Sequence, residues 1–421
     1  MNVTVVGGGK MGLPLACVFA SRGANVSVCD VDAAKVQSIN AGVCPFHEPG
    51  VDELLAEGVR SGRLVATTDT GAAIASSEVV VVIVPVMLSD SKEADLSMID
   101  DVARIASSNL KPGSMISFET TLPVGGTRRL GHIIDKGGMR AGVDYDLVFS
   151  PERVKSLLVL KHLFDNPKIV GGITPASAAR GAEFYSKYLG APVINVGTLE
   201  AAELVKLAGM IYRDVNIALA NELATFAECI GIDFETVRAA ANTDGEANLL
   251  LPGIGVGGHC TPVYPYFLIS EARSRGIAVE LAELGRKINN AQPRKILNKL
   301  GDVSGKRCVV LGVSFRPQVK ESAYSPVFAL ASELEMRGAL VTVHDPLYTE
   351  DEIRRLGLVP GEIDGNEIII LNTAHDAYLN LDFADLAKKG LKCVVDGRNV
   401  WSVDAVVAAG VRYIGVGRST R

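Results

Sequence analysis

The sequence lacks the patterns that mark several protein classes. Its 42 lysines and arginines are outnumbered by 48 aspartates and glutamates, a formal net charge of -6. They form no run and no interleaving with aromatics, which argues against nucleic acid as a partner. Small anionic ligands stay open, because local sites on an acidic protein can be positive. The longest apolar run, Val79 to Leu88, is far too short to span a bilayer, so no membrane partner is expected. The first residues, Met1-Asn2-Val3-Thr4-Val5-Val6, carry no basic stretch and run straight into glycines, which reads as a strand and not as a signal peptide. Seven cysteines (Cys17, Cys29, Cys44, Cys229, Cys260, Cys308, Cys393) include no C-x-x-C pair, and no histidine stands at zinc-ligand spacing. Neither a disulfide framework nor a metal site is indicated. Six of them sit in apolar, periodic surroundings and read as buried small hydrophobes; only Cys260 lies in a loop with chemistry around it. The expectation is a cytoplasmic enzyme.

What is present is a globular composition, 48% hydrophobic and 21% charged over 421 residues, too long for one typical core. The pattern divides it into an α/β domain at 1–197, a central helical domain at 198–300 and a second α/β domain at 301–421. The fold class is therefore α/β: two Rossmann-like doubly wound domains joined by a helical region with a long helix.

The first domain opens with strand Val3 to Val6, the turn Gly7-Gly8-Gly9-Lys10-Met11-Gly12, an apolar-periodic helix Leu13 to Ser21, and a strand Asn25 to Cys29 ending in Asp30. This is G-x-G-x-x-G in its required context. The glycines allow the turn and the pyrophosphate approach, the helix N-terminus faces the phosphates, and the acid takes the ribose hydroxyls. Asp30 with no Arg beside it favours NAD over NADP. The bland alternative is a tight turn that holds no phosphate. The β-branched run Glu78 to Pro85 reads as a buried parallel strand. A helix around Ile99 to Asn109 and strands Met115 to Phe118 and Tyr145 to Phe149 follow, the last two running into Glu119-Thr120-Thr121-Leu122-Pro123 and Ser150-Pro151-Glu152-Arg153. Such strand ends face the cofactor crevice. Glu152 is a second acid there, or simply an N-cap or surface acid.

From Thr198 to about Ile230 apolar residues recur at helix spacing without a proline, long enough to connect two domains and form part of a dimer interface. Lys206 lies in it among small and apolar neighbours, as a working group or as a solvated lysine. A helix Phe234 to Ala241 leads to the glycine-rich loop Gly253-Ile254-Gly255-Val256-Gly257-Gly258-His259-Cys260, whose four glycines permit close approach to a ligand and deliver one thiol, the best candidate nucleophile. Helices Ile269 to Arg275 and Val279 to Ala291 complete this region. The last domain repeats the α/β order loosely: strand Arg307 to Leu311, loop Gly312 to Pro317, helix Pro326 to Arg337, and strands Leu340 to His344, Glu367 to Leu371 and Leu391 to Val395, with Asp396-Gly397-Arg398-Asn399 as the closing turn. It lacks G-x-G-x-x-G, so a nucleotide-linked ligand fits it better than a second dinucleotide.

Read together, Gly7-x-Gly9-x-x-Gly12, Glu119 to Pro123, Ser150 to Arg153, Tyr212 to Ala218, Gly255 to Cys260 and Ser325-Pro326 make the whole chain resemble the UDP-glucose/GDP-mannose dehydrogenase family, and more closely its UDP-N-acetylhexosamine branch. The resemblance implies NAD as cofactor and a nucleotide-sugar or nucleoside-type substrate. The C6 hydroxymethyl would be oxidised to a carboxylate in two steps through a thioester on Cys260, in a homodimer. It assigns Lys206 to oxyanion stabilisation, and Glu152 and Thr121 to positioning water or relaying protons. Gly7, Gly9, Lys10, Met11, Gly12, Asp30, Pro85 and Thr121 would hold NAD. Glu152, Arg153, Lys206, Asn248, Gly257 and Arg316 would hold substrate.

The chain departs from the family pattern at the substrate end. Tyr264 stands where the resemblance places an Asp, Met210 where it places an Asn, Glu246 where it places an Arg, Val86-Met87 in place of Thr-Pro, and Ala323-Tyr324 in place of Arg-Glu. Losing oxyanion donors, each worth about 3 kcal/mol, and reversing a charge beside an anionic substrate leave a second chemistry open: a two-electron or redox-neutral oxidation of a modified sugar or nucleoside. A third reading, an NAD-binding regulatory protein, would have no need of Cys260, Lys206 and Glu152 together.

Overall fold

The computed structural model describes residues 1–418; residues 419–421, the end of the expected third domain, lie outside the described residues. The chain forms two compact units, Met1–Gly209 with Tyr266–Arg275, and Met210–Pro265 with the chain from Gly276 onward. The helix Leu199–Cys229 passes through the division.

In the first unit the strands are β1 Asn2–Val6, β2 Asn25–Cys29, β3 Leu64–Thr67, β4 Val79–Val82, the short pair β5 Met87–Leu88 and β6 Ala94–Asp95, then β7 Met115–Phe118, β8 Asp146–Phe149, β9 Lys168–Gly172 and β10 Val193–Thr198. The main sheet runs β10-β9-β8-β7-β4-β1-β2-β3, parallel throughout except where β9 meets β8. Val3, Val5, Val26, Val28, Val79 and Val81 pack one face onto Leu13, Ala16, Cys17 and Phe19 of the helix Gly12–Ser21. All four residues of β4 are buried, so this strand reads as a continuous β-branched run and not an alternating one. The chain leaves β3 at one edge and re-enters at β4, beyond β1. The order thus reverses between β1 and β4, where parallel α/β sheets open a ligand crevice.

In the second unit β11 Arg307–Leu311, β12 Leu340–His344, β13 Ile368–Leu371, β14 Cys393–Asp396 and β15 Arg412–Gly415 form a parallel sheet ordered β12-β11-β13-β14-β15. Cys308, Val310, Ile368, Ile370 and Val395 pack one face, and Val309, Leu311, Ile369, Leu371 and Val394 the other. Alternation across a sheet buried on both faces makes it doubly wound, with its own order reversal between β11 and β13.

Several sequence expectations are corrected. The helix expected at Ile269 begins at Tyr264, because Pro265 sits in its first turn, where no amide N–H is required. The helix expected to stop at Ala291 runs Glu280–Leu297 through Pro293, whose ring lies where a Cβ on Gly255 would meet it at 3.4 Å; packing outweighs the lost hydrogen bond. Asp396 to Asn399 does not close the second sheet, since β15 follows; four residues are too few to show a period. β3 and β10 were equally illegible. Cys44 is only half-buried and Cys229 is exposed: Cys44 stands in the loop after the helix Ala33–Asn40, and Cys229 is the last residue of the long helix.

Candidate active site

The cofactor rim of the first unit is built by the carboxyl ends of β1, β2, β4, β7 and β8. Gly7 has φ 112°, and a Cβ there would come within 2.6 Å of the Ile83 carbonyl oxygen; one on Gly12 would come within 1.9 Å of the Gly7 carbonyl oxygen. The fold itself therefore demands both glycines. A Cβ on Gly9 would meet nothing within 4 Å. The protein leaves that space open, which is what close approach of a pyrophosphate requires. Lys10 and Met11 fill the turn, and Met11 stands at the N-cap of Gly12–Ser21 with no side-chain cap, leaving the positive end of the helix dipole to a phosphate.

The Asp30 carboxylate is fixed from three sides: the Gly8 N–H donates at 3.1 Å, the Asp32 N–H at 3.0 Å and Lys35 Nζ at 2.8 Å. Ile83 to Pro85 leave β4 toward the rim, with Pro85 exposed. The Thr120 hydroxyl donates to the Val84 carbonyl at 2.6 Å, which ties the β7 exit to the β4 exit and sets the buried Thr121 beside it.

Beyond β8, Glu152 and Lys206 meet. Lys206 Nζ lies 3.7 Å from Glu152 Oε2 with side chains 5% and 17% exposed, and the ammonium donates to the Glu152 carbonyl. Glu152 Oε1 accepts the Val154 N–H. Arg153 spends a guanidinium N–H on the Pro167 carbonyl, and burial lowers its pKa, with the Glu152 charge opposing. Two acids that the sequence did not single out hold this cluster. Buried Glu48 accepts the Leu157 and Val159 N–H groups at 2.7 and 2.9 Å, which holds Leu157 at φ 64° and shapes the loop after Glu152. Glu203, one turn before Lys206, accepts the Gly125 and Thr127 N–H groups at 2.6 and 2.7 Å. It caps the helix Gly126–Ile134 and ties the Lys206 helix to the loop that carries Thr121.

In the second unit the thiol loop is moulded to the sheet. A Cβ on Gly257 would come within 2.6 Å of Phe315, one on Gly258 within 2.9 Å of the Phe315 ring, and one on Gly255 within 2.9 Å of Pro326. The Gly258 N–H donates to the Ala323 carbonyl at 2.9 Å, and the Ile254 N–H to that of Gly397 at 3.1 Å. Upstream, Asn221 accepts the Gly253 N–H at 3.0 Å. Asn216 accepts the Leu250 N–H at 2.9 Å and donates to the Asn248 carbonyl at 2.7 Å. Cys260 emerges half-exposed, and its carbonyl accepts the Tyr264 N–H at 2.9 Å, so the thiol stands at the entry of the helix Tyr264–Ser274. Arg398 donates to the Asn372 carbonyl at 2.5 Å beside Gly253, and burial lowers its pKa to about 10.

Of the sequence-predicted residues, the first unit brings Glu152 and Lys206 into contact and sets Gly7, Gly9, Lys10, Met11, Gly12, Asp30, Pro85 and Thr121 along one rim. In the second unit Gly257 and Cys260 share one loop, Arg316 follows the Phe315 that the loop packs on, and Asn248 and Glu246 are exposed. Glu48, Glu203, Asn216 and Asn221 were missed. Their backbone partners lie 32 to 111 residues away; Asn216 falls inside the Tyr212 to Ala218 motif, and no local signal marks the other three.

Three sequence profiles match the chain: the NAD binding domain of the UDP-glucose/GDP-mannose dehydrogenase family over residues 1–189, its central domain over 200–291 and its UDP binding domain over 309–403. The chain is 30% identical over 430 residues to a UDP-N-acetyl-D-mannosamine dehydrogenase from Pyrococcus horikoshii, covering 99% of each. It is 31% identical to an NDP-N-acetyl-D-galactosaminuronic acid dehydrogenase from Ralstonia nicotianae, covering 97% of this chain and 98% of the relative. Among solved structures, the UDP-D-ManNAc dehydrogenase from Pyrococcus horikoshii superposes with a TM-score of 0.89 at 29% identity, covering 99% of each chain.

Proposed function

The chain belongs to the UDP-glucose/GDP-mannose dehydrogenase family, and from that premise we propose an NAD-dependent dehydrogenase that oxidises the C6 hydroxymethyl of a nucleotide-linked sugar to the uronic acid. The observation that carries the reading is the Lys206 ammonium seated on Glu152 at the rim of the cofactor site. The glycine turn and Asp30 would hold NAD, which would supply the hydride acceptor for each of two oxidations. Glu152 and Thr121 position water and pass on the hydroxyl proton, and Cys260 attacks the aldehyde carbon. Lys206 balances the oxyanion that forms at each addition, and water activated by Glu152 cleaves the thioester. The second unit supplies the nucleotide site, with Arg316, Asn248 and Gly257 toward the substrate. The test is NADH formation from NAD and a panel of UDP- and GDP-sugars, with two NADH per sugar expected; silence across the panel removes this substrate class.

Tyr264 favours a second reading. It opens the helix one turn after Cys260, at a position where a carboxylate would be needed to support the water step, so the reaction stops at two electrons or runs redox-neutral on a modified sugar or nucleoside. Mass-spectrometric detection of a ketone or aldehyde, with activity surviving Cys260→Ala, selects this reading over the thioester route.

We further propose a homodimer. Tyr212, Leu219, Leu223 and Phe226 recur along one stripe of the long helix, with Ile230 just past its end, and are 54, 45, 36, 63 and 53% exposed, an apolar seam at coiled-coil-like spacing that a second copy would cover. Light scattering should give twice the chain mass, and Phe226→Glu should halve it.

A further inference from the structure

Behind the Glu152–Lys206 contact lies an ion pair to which no role has been given. Lys168, the first residue of β9, donates from Nζ to Glu119 Oε2 at 2.6 Å, with side chains 7% and 1% exposed. Glu119 Oε1 accepts the Tyr185 hydroxyl at 2.8 Å, and that hydroxyl also lies 2.8 Å from Ser117 Oγ. The ammonium sits 4.8 Å from the Tyr185 ring centroid. Taking two charges out of water is costly, and apolar residues of equal volume would stabilise the sheet as well or better. Its location gives this pair a reason to exist. The Glu119 carbonyl accepts the Glu152 N–H at 3.2 Å, and the Glu119 and Glu152 carboxylates are close enough to repel. The next residues, Thr120 and Thr121, enter the cofactor rim.

We propose that Glu119 and Lys168 are positioning residues that fix the orientation and charge of Glu152, and through it the seat of Lys206. This rests on the reading of Glu152 and Lys206 as working groups of an NAD-dependent dehydrogenase. The charges facing Glu152 are Lys206 from the long helix, Arg153 from its own loop and Glu119 from the end of β7, with Lys168 of β9 beyond it and the neutral Tyr185 of the helix Pro175–Tyr188 closing the cluster. Because Glu119 stands between Lys168 and Glu152, the pair presents its negative end to Glu152. Glu119→Gln removes that end and leaves the ammonium. Lys168→Met leaves a buried carboxyl that takes up a proton, so both charges vanish, as they do in the double variant.

The experiment is the pH–rate profile of NADH formation with whichever nucleotide sugar the wild type oxidises. Glu119→Gln is expected to move the acid limb about one pH unit downward. Lys168→Met and the double variant should move it by the same, smaller amount, a few tenths of a unit, and Lys168→Arg should leave it in place. The double variant carries no unpaired buried charge and gives the reading even if the single variants do not fold. A folded, active Glu119→Gln or double variant whose limb is unmoved or raised overturns the proposal, because a purely structural pair would lower rate or melting temperature alone. A wild type inactive on every nucleotide sugar overturns the functional reading instead.

Discussion

Glu203 provides a test of how the Lys206 helix is held. Its carboxyl is fully buried, and burial pushes its pKa from 4.5 up to about 7, with the hydrogen bonds from Thr127 and Gly125 pulling the other way. The folded protein therefore holds this proton until about pH 7, whereas the unfolded chain releases it near 4.5. Between those values the folded state binds more protons, so this contribution to stability is intact below pH 4.5 and is lost as pH rises through the window. At about 1.4 kcal/mol per pH unit the loss is about 3 kcal/mol. For a unit of this size that corresponds to roughly 6–12 °C in melting temperature. Glu203→Gln keeps the shape and cannot titrate, although its amide turns one donor toward the backbone N–H groups and lowers stability at every pH. The assay is thermal unfolding of both proteins at intervals from pH 4.5 to 7.5. The wild type should lose several degrees more than Glu203→Gln across the window, with other titrations cancelling in the difference. Parallel curves, or a wild type that gains relative to the variant as pH rises, would refute the argument that burial dominates over the two hydrogen bonds.

Three further outcomes follow from the cofactor rim and the thiols. Gly9→Ala should leave the melting temperature within about 1 °C, since its Cβ meets no protein atom within 4 Å, yet weaken NAD binding roughly a hundredfold by filling the pyrophosphate's space; calorimetry beside a melting curve separates the two. Asp30→Ala should cut the preference for NAD over NADP roughly tenfold or more, because it removes the repelling carboxylate and releases Lys35, now 2.8 Å from it, toward a 2′-phosphate; the ratio of kcat/KM values reads this directly. In the native protein at pH 8 a thiol reagent should modify Cys229 and Cys260 first. Cys17, Cys29 and Cys308, pushed by burial to about 12, and Cys393, pushed to about 11, should react only on unfolding, as peptide mapping would reveal.

The first strand, glycine turn and helix were the most legible part of the chain. Its glycines, helix start and Asp30 lie within 24 residues of one another, and each is required by a local rule of backbone approach, dipole or charge. β4 and, in the second sheet, β11, β13 and β14 were legible for a related reason: strands buried on both faces carry nearly unbroken apolar, β-branched runs. Where two rules competed locally, the sequence misled. Pro293 stops a helix by propensity but is retained in one by packing against the loop of Gly255. Pro265 lies in the first turn of a helix that the apolar pattern started only at Ile269, and the earlier start places Cys260 one turn before a helix.

The sequence by itself determined which chemistry is on offer: a dinucleotide turn, one thiol in a glycine loop, a lysine in an apolar helix and an acid at a strand end. Only the tertiary structure decided what each of these groups leans on. Lys206 is seated on Glu152, 54 residues away, the Glu152 loop hangs from Glu48, and Glu119 is paired with Lys168 of β9, two strands across the sheet. The physical reason is that a hydrogen bond or an ion pair in a buried site is fixed by distance in space. Strand order and helix packing set that distance, and neither leaves a period in the sequence.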